Sequence, residues 1–531
     1  MAAMNRRELL AQSLAVGGGV AAGLSEVKSA APEIIRGNRL KAQWYFGIHV
    51  IDDHTARGVP LVELRTVNNI RYYTDSAGYC AIEEPGLMGR QTYFFISTPG
   101  YDYPKDGFGY AGVTLDLKPG AAATIRLKRI NIAERLYRVT GEGIYGDSIQ
   151  LGQPVPLREP LLNGKVMGQD SVLAVVYQGR LHWIWGDTTR PAYPLGNFRS
   201  SGAVSDLPGK GGLNPAVGVN LHYFTDNHGF CRAMCPLPDE PEGVVWLGGL
   251  TVVPDHTGTL RMVARYSRRA GLTKLLGHGL AIWDDRTAIF RKYKVYPLAE
   301  HWRFPTGHPA IYVDGGIEYR LFNPQFPTLR AIAKLGAIAD PQSYEAFTCL
   351  YPGTQFQGNK SKLERRADGT LVWGWKHHGT PINSRQELEL LTAGLIQPHE
   401  AHFQLMDVQS HRPVMIQSGS FFWNDYLKKW IMIGCQEGGT SFLGEIWFAA
   451  AAAPTGPWKR AIKIATHPNY SFYNPTQHPF FDQEGGKVIY FEGTYSVTFS
   501  GNDHPVPRYD YNQLMYRLNL SDPRLTTTVG I

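Results

Sequence analysis

Three carboxylates stand at or inside runs of apolar, aromatic and small residues: Asp170 before Ser-Val-Leu-Ala-Val-Val-Tyr177, Glu445 between Gly444 and Ile446-Trp447-Phe448, and Glu492 between Phe491 and Gly493. An unpaired charge is costly to bury in such a run, so each needs a partner, a pocket or a chemical task. Two carboxyl groups, one protonated and one ionised, are what cleavage of a glycosidic bond requires. Apolar walls around Glu445 or Glu492 would raise the carboxyl pKa and favour the protonated form of a general acid. The residues leave a structural reading open: Asp170 as a turn or cap residue, Glu445 as the partner of an arginine across blades.

Other side chains could assist. Asp187 closes Trp185-Gly186-Asp187-Thr188, either as a sugar-hydroxyl ligand or charge that tunes a neighbouring acid, or as a strand-ending Asx turn. His308 and His478 form a matched pair, each followed by proline, which holds the histidine backbone extended. They could hold hydroxyls or a carboxylate, or ligate a metal or its waters. Asn474 and Tyr495 lie near the candidate acids as amide and hydroxyl contacts. His399-Glu400-Ala401-His402 lacks the i, i+4 histidine spacing of a zinc helix. Lys376-His377-His378 is placed at a rim, where it could meet an acidic sugar. No cofactor and no metal centre is expected.

The elements that position these groups follow from composition. In 531 residues, 58 glycines, 35 prolines and a 12% aromatic share favour strands joined by tight turns, hence an all-β chain long enough for two domains. The net charge of +7 is spread, without a run of five Lys or Arg, so nucleic acid is not an expected partner. Asn5-Arg6-Arg7-Glu8-Leu9-Leu10, a mildly apolar stretch from Leu14 to Leu24 and Ser29-Ala30-Ala31 read as an export signal over residues 1–31. It resembles a twin-arginine signal, which implies a folded cargo and a periplasmic or secreted location. No other apolar run approaches the ~20 residues of a membrane-spanning helix. Five cysteines make no disulfide framework, and Cys231 and Cys235 have no second Cys or His pair at zinc-site spacing.

From 39 to 130, short alternating runs such as Trp44 to Val50, Pro60 to Thr66 and Thr92 to Ile96 suit a sandwich. Val50, Asp52, Thr55, Arg57-Gly58-Val59-Pro60 and Thr74-Asp75-Ser76-Ala77-Gly78-Tyr79 resemble the transthyretin-like domain of carboxypeptidase regulatory modules. That resemblance implies a structural β-turn at Thr74 to Tyr79 and an accessory domain. From 131 to 531 an apolar strand, a turn and an aromatic strand recur, beginning near Asp170, Val244, His308, Ser418 and Asn474, which suggests a five-bladed β-propeller. The Asp170 strand with Gly179-Arg180-Leu181-His182-Trp183, the Glu445 strand with Pro454-Thr455-Gly456-Pro457-Trp458, and Asn474-Pro475 to His478-Pro479 resemble five-bladed propeller glycosidases, the group that includes glycoside hydrolase family 43 and the arabinanases.

Innermost propeller strands line a central channel, so acids at the starts of different blades can converge. The expectation is therefore an exported enzyme hydrolysing a poly- or oligosaccharide, with Asp170 as base or nucleophile and Glu445 or Glu492 as acid. Asp170 should face one of these glutamates at about 5 Å for retention or roughly 6.5 to 9.5 Å for inversion. Two other readings compete: a non-catalytic propeller binding glycans or proteins at the cell surface, and a lyase acting on an acidic glycan through the paired histidines.

Overall fold

The structure is a computed structural model that describes residues 42–197, 200–322, 325–502 and 511–525. The export stretch lies outside the described residues. Two four-stranded sheets form the N-terminal sandwich. In one, Phe46–Asp52 pairs antiparallel with Tyr79–Ile82 and parallel with Ala122–Arg129, and Tyr101–Asp102 closes the edge. In the other, Glu63–Thr66 lies between Arg71–Tyr73 and Gln91–Ser97, with Gly112–Asp116 outermost. Alternation sends Thr92, Phe94 and Ile96 inward from Gln91–Ser97. Phe94 and Ile96 there meet Ile48, Val50, Leu64, Ile125 and Leu127.

The Thr74 to Tyr79 turn is structural. Asp75 Oδ1 accepts from the Ala77 and Tyr79 amides, and its Oδ2 from the Ser148 amide at 2.7 Å. Gly78 has φ +78°, and a Cβ there would lie 2.4 Å from the Val50 carbonyl oxygen, so both conformation and space require glycine.

Beside a small three-stranded sheet of Gly168–Gln169, Thr188–Arg190 and Tyr193–Asn197, the rest of the described strands form five sheets around an axis. Their first strands are Val172–Tyr177, Val244–Pro254, Ala310–Asp314, Ile416–Asn424 and Ser471–Gln477, and successive strands follow outward. Blade 5 is completed by Glu134–Arg138, which pairs with Asn512–Asn519 and so closes the ring with a strand from before blade 1. The blades read as near-continuous apolar runs because both faces are covered. In Val488–Ser496, Ile489, Phe491 and Tyr495 pack with Ile431, Ile433 and Phe448 of blade 4, whereas Tyr490 packs with Leu181, Trp183 and Trp185 of blade 1. Burial of each such side chain contributes about 1.5–3 kcal/mol, so the blade contacts hold the ring together.

The two parts are joined by charged groups with full hydrogen-bond demands. Buried Arg135 donates to the Pro60 carbonyl and Thr98 hydroxyl at 2.9 Å each, and to Tyr516 at 3.2 Å. Glu134 pairs with Arg517 and accepts from Thr55 at 2.7 Å. All five cysteines are buried free thiols. No helix among the described residues is long and apolar enough to cross a membrane.

Candidate active site

Asp170 immediately precedes the inner strand of blade 1, and the residues around it come from the starts of several blades. Its amide donates to the Asp187 carbonyl at 2.9 Å, and its own carbonyl accepts from Gly186 at 2.6 Å, so Asp170 and Asp187 are held side by side where the first hairpin opens. Asp170 Oδ1 accepts from Ser171 Oγ at 2.6 Å and stands 3.5 Å from Thr494 Oγ1 of blade 5. Asp187 is buried, and its Oδ1 accepts from the Trp246 indole of blade 2 at 2.8 Å. The two carboxylates thus engage opposite neighbours, blade 5 and blade 2, and splay over the end of blade 1.

Backbone strain marks the same spot. Ser171 has φ +45° and Asn474 φ +49°, both in the left-handed region that non-glycine residues rarely occupy. Asn474 also precedes Pro475, which by itself disfavours helical backbone there. The two residues are tied to each other: Asn474 Nδ2 donates to Ser171 Oγ at 2.6 Å, and Ser418 Oγ of blade 4 donates to Asn474 Oδ1 at 3.2 Å. Such conformations cost about 1–3 kcal/mol each and persist where surrounding contacts over-determine them. Beneath them, Gln513 Nε2 bridges the Gln169 carbonyl at 2.9 Å and Thr494 Oγ1 at 2.8 Å, and Tyr223 donates to Gln169 Oε1 at 2.7 Å.

The paired histidines diverge in their surroundings. His308, half-buried before the inner strand of blade 3, is held neutral by burial and by the proximity of His478, its pKa lowered to about 3. His478 is 2% exposed, with Nε2 3.2 Å from Glu492 Oε1 and its ring edge-on to Trp183 at 5.3 Å. The His478–Glu492 contact is an ion-pair distance off the hydrogen-bond direction, since neither Glu492 oxygen has a hydrogen-bond partner. Glu492 is fully buried between blades 5 and 1, on the strand that also carries Thr494.

The structure does not bring Glu445 to this group. It begins the third strand of blade 4, away from the axis, where Lys463 Nζ lies 2.9 Å from Oε2 and Oε1 accepts from Thr466 at 2.9 Å and from Thr440. Its cation is a lysine of its own blade rather than an arginine across blades. Tyr495 faces blade 4, 2% exposed, stacked on Tyr470 at 4.9 Å between centroids. Glu400 pairs with Arg365 at 2.8 Å, and His402 Nδ1 lies 2.9 Å from the Thr455 carbonyl oxygen. Lys376 is paired with Glu364 at 2.5 Å.

Of the expected set, then, the structure assembles Asp170, Asp187 and Asn474. It adds Ser171, Thr494, Ser418 and Trp246. Serines and threonines carry no spacing signal for such a role. The proline after Asn474 was the visible clue to an unusual backbone. Among the described residues no group of three or more His, Cys, Asp or Glu could hold a metal ion.

No protein-family model matches the chain, and no curated protein matches it. Solved structures do. An exo-β-1,3-galactanase from Phanerochaete chrysosporium, crystallised with β-1,3-galactotriose, is 9% identical over 73% of this chain and 65% of its own, with a TM-score of 0.35. The chain therefore spans less than two thirds of that protein's length. An exo-1,5-α-L-arabinanase from a bovine ruminal metagenomic library is 10% identical over 67% of this chain and 94% of its own, with a TM-score of 0.32. A GH43_1 enzyme from Xanthomonas citri, complexed with xylose, is 11% identical over 66% of this chain and 86% of its own, with a TM-score of 0.31.

Proposed function

We propose that the protein is an exported enzyme that hydrolyses a glycosidic bond at the channel mouth. Asp170 serves as the ionised base or nucleophile, and Asp187 completes the carboxyl pair. One observation carries the reading: the strained, hydrogen-bonded pair Ser171 and Asn474 fixes the Asp170 carboxylate beside hydroxyls and amides contributed by blades 1, 4 and 5. Glu445 stands away from this group beside Lys463, and Glu492 lies against the His478 imidazole. Export rests on the Arg6-Arg7 signal resemblance, and the transthyretin-like sandwich is taken as an accessory domain.

The lyase reading draws on neutral His308 as the proton acceptor. A base whose conjugate acid titrates near 3 has little driving force to remove a carbon-bound proton at neutral pH. His308 is better suited to hydrogen-bond a sugar hydroxyl.

The test is a polysaccharide panel of a galactan, an arabinan, a xylan and a uronate-containing polymer. Reducing-end release and absorbance of unsaturated uronate are followed for wild type and Asp170→Asn. Hydrolysis gives reducing ends alone, abolished in the variant. Unsaturated product would assign the lyase chemistry instead, and release undiminished in Asp170→Asn would remove Asp170 from the mechanism.

A further inference from the structure

The sandwich and the propeller flank an open pocket of about 310 Å3, walled by Glu63, Arg71 and Tyr73 on the sandwich side and by Asn469, Tyr470 and Tyr495 on the propeller side. Ligand pockets begin at about 300 Å3 and favour domain junctions. The junction is firmly built, because Arg135 ties propeller Tyr516 to the Pro60 carbonyl and Thr98 of the sandwich. The cavity therefore has fixed walls from two separately folded layers.

Its chemistry is mixed in a particular way. Tyr470 stacks on buried Tyr495, and Tyr470 itself is half-buried, so one aromatic ring is backed by another. Tyr73 donates to Glu63 Oε2 at 2.7 Å, while Arg71 Nε stands 3.8 Å from the same oxygen, beyond hydrogen-bond length. Burial and the nearby Glu63 carboxylate hold the Tyr73 and Tyr470 phenols protonated. A carboxylate offers about four acceptor sites, of which Tyr73 takes one. Asn469 is exposed and adds an amide that both donates and accepts.

We propose that this cavity is a second glycan-binding site, accepting one or two neutral sugar rings of a polymer. The inference rests on the glycan-cleaving reading of the channel. A pyranose ring has a C–H face suited to tyrosine and a girdle of hydroxyls that need donors and acceptors together. Glu63, Arg71 and Asn469 supply both kinds. An anionic ligand would meet Glu63 and a cationic one Arg71, so the balance of the wall selects an uncharged unit.

The experiment is affinity electrophoresis of the full chain through gels containing the galactan, arabinan or xylan, in an Asp170→Asn background that prevents turnover. Tyr470→Ala removes the aromatic face. Asn469→Gly removes the amide at a residue with φ +65°, where glycine is at ease, so folding is preserved. Retardation by at least one polymer, weakened fivefold or more by each variant, supports the site. Retardation unchanged by both variants overturns the cavity while leaving the channel reading intact. Absence of retardation in every gel, combined with absence of hydrolysis by wild type, overturns the glycan reading and the cavity with it.

Discussion

Two regions of this propeller treat a carboxylate in opposite ways. At the channel mouth Asp170 and Asp187 are held by a serine hydroxyl and an indole, with Thr494 close by. Within the blades Glu445 and Glu492 are held by Lys463 and His478. Lys463 stands within ion-pair distance of Glu445, whereas a serine hydroxyl and an indole N–H orient Asp170 and Asp187 through directional hydrogen bonds. The contrast explains why apolar surroundings are a poor guide to catalytic acids in a fold whose sheets are buried on both faces. Any carboxylate in a blade strand sits among apolar side chains, and most such groups need a cation to be there at all.

The sharpest way to break the comparison is Asp170→Asn, which keeps the shape and removes the charge. Turnover should fall by about a thousandfold or more, equivalent to about 4 kcal/mol of transition-state stabilisation, while the thermal midpoint moves by no more than a degree or two. A comparable loss from Glu445→Gln, measured as kcat/KM on the same polymer, would merge the two regions into one.

Within the blades the prediction is reversed. Glu492 and His478 are 0% and 2% exposed, so Glu492→Gln leaves an imidazole without its partner in a dry interface. Breaking a buried pair costs about 3–5 kcal/mol. Glu445→Gln should cost only about 1 kcal/mol, because Lys463 is 39% exposed and turns to water. Urea midpoints read both values, and equal losses would mean that the Glu492 site admits solvent.

Much of this arrangement was legible in the chain, and the reasons for the rest are physical. Strand alternation in Thr92 to Ile96 marks one buried face of the sandwich. Unbroken runs such as Ile446 to Ala449 mark doubly covered blade strands. Asp170 stood out because it opens the apolar inner strand of the first blade. Glu445 misled because a strand's rank within its blade is not written in its own residues. Its partner Lys463 lies on the next strand, brought opposite only by the register of Trp447 with Lys463. Glu492 and His478 flank a hairpin in which Thr476 pairs with Glu492, so that contact was within reach of a register argument. Ser171 and Thr494 were not, because their role depends on a backbone twist and on closure of blade 5 against blade 1.

Acidification probes both regions together. His182, His308 and His467 are kept neutral, chiefly by burial, with pKa values lowered to about 4, 3 and 3. Each binds a proton near pH 6.5 when unfolded but not when folded, so its contribution is complete above 6.5 and is lost as pH falls. Between pH 6.5 and 5.5 each loses about 1 kcal/mol, together about 3 kcal/mol. Asp482 opposes this with about 1 kcal/mol, because its pKa is raised to about 7 and the folded chain is the better proton binder there. The net expectation is a fall of about 2 kcal/mol, read from urea unfolding at the two pH values. A flat profile would mean that the three rings are hydrated.

Asp482 is a third kind of carboxylate, and it refines the comparison. It follows the inner strand of blade 5, with Gln477 Nε2 donating at 3.1 Å to both of its oxygens and the Asp425 charge nearby. Neither a cation nor a set of hydroxyls compensates its burial, so desolvation dominates and pushes its pKa up to about 7. The ionised form therefore strains the folded chain above pH 7, and the strain vanishes once the group is protonated. Asp482→Asn should raise stability at pH 8 by about 1 kcal/mol, after allowance for solvent screening at a half-buried site, and by less at pH 5, the gain disappearing only below pH ~4, where the unfolded carboxyl is protonated as well. The variant should also steepen the acid loss between pH 6.5 and 5.5, because the opposing contribution is gone. Equal gains at pH 5 and pH 8 would show that the amide improves packing, and that Asp482 belongs with the well-compensated carboxylates after all.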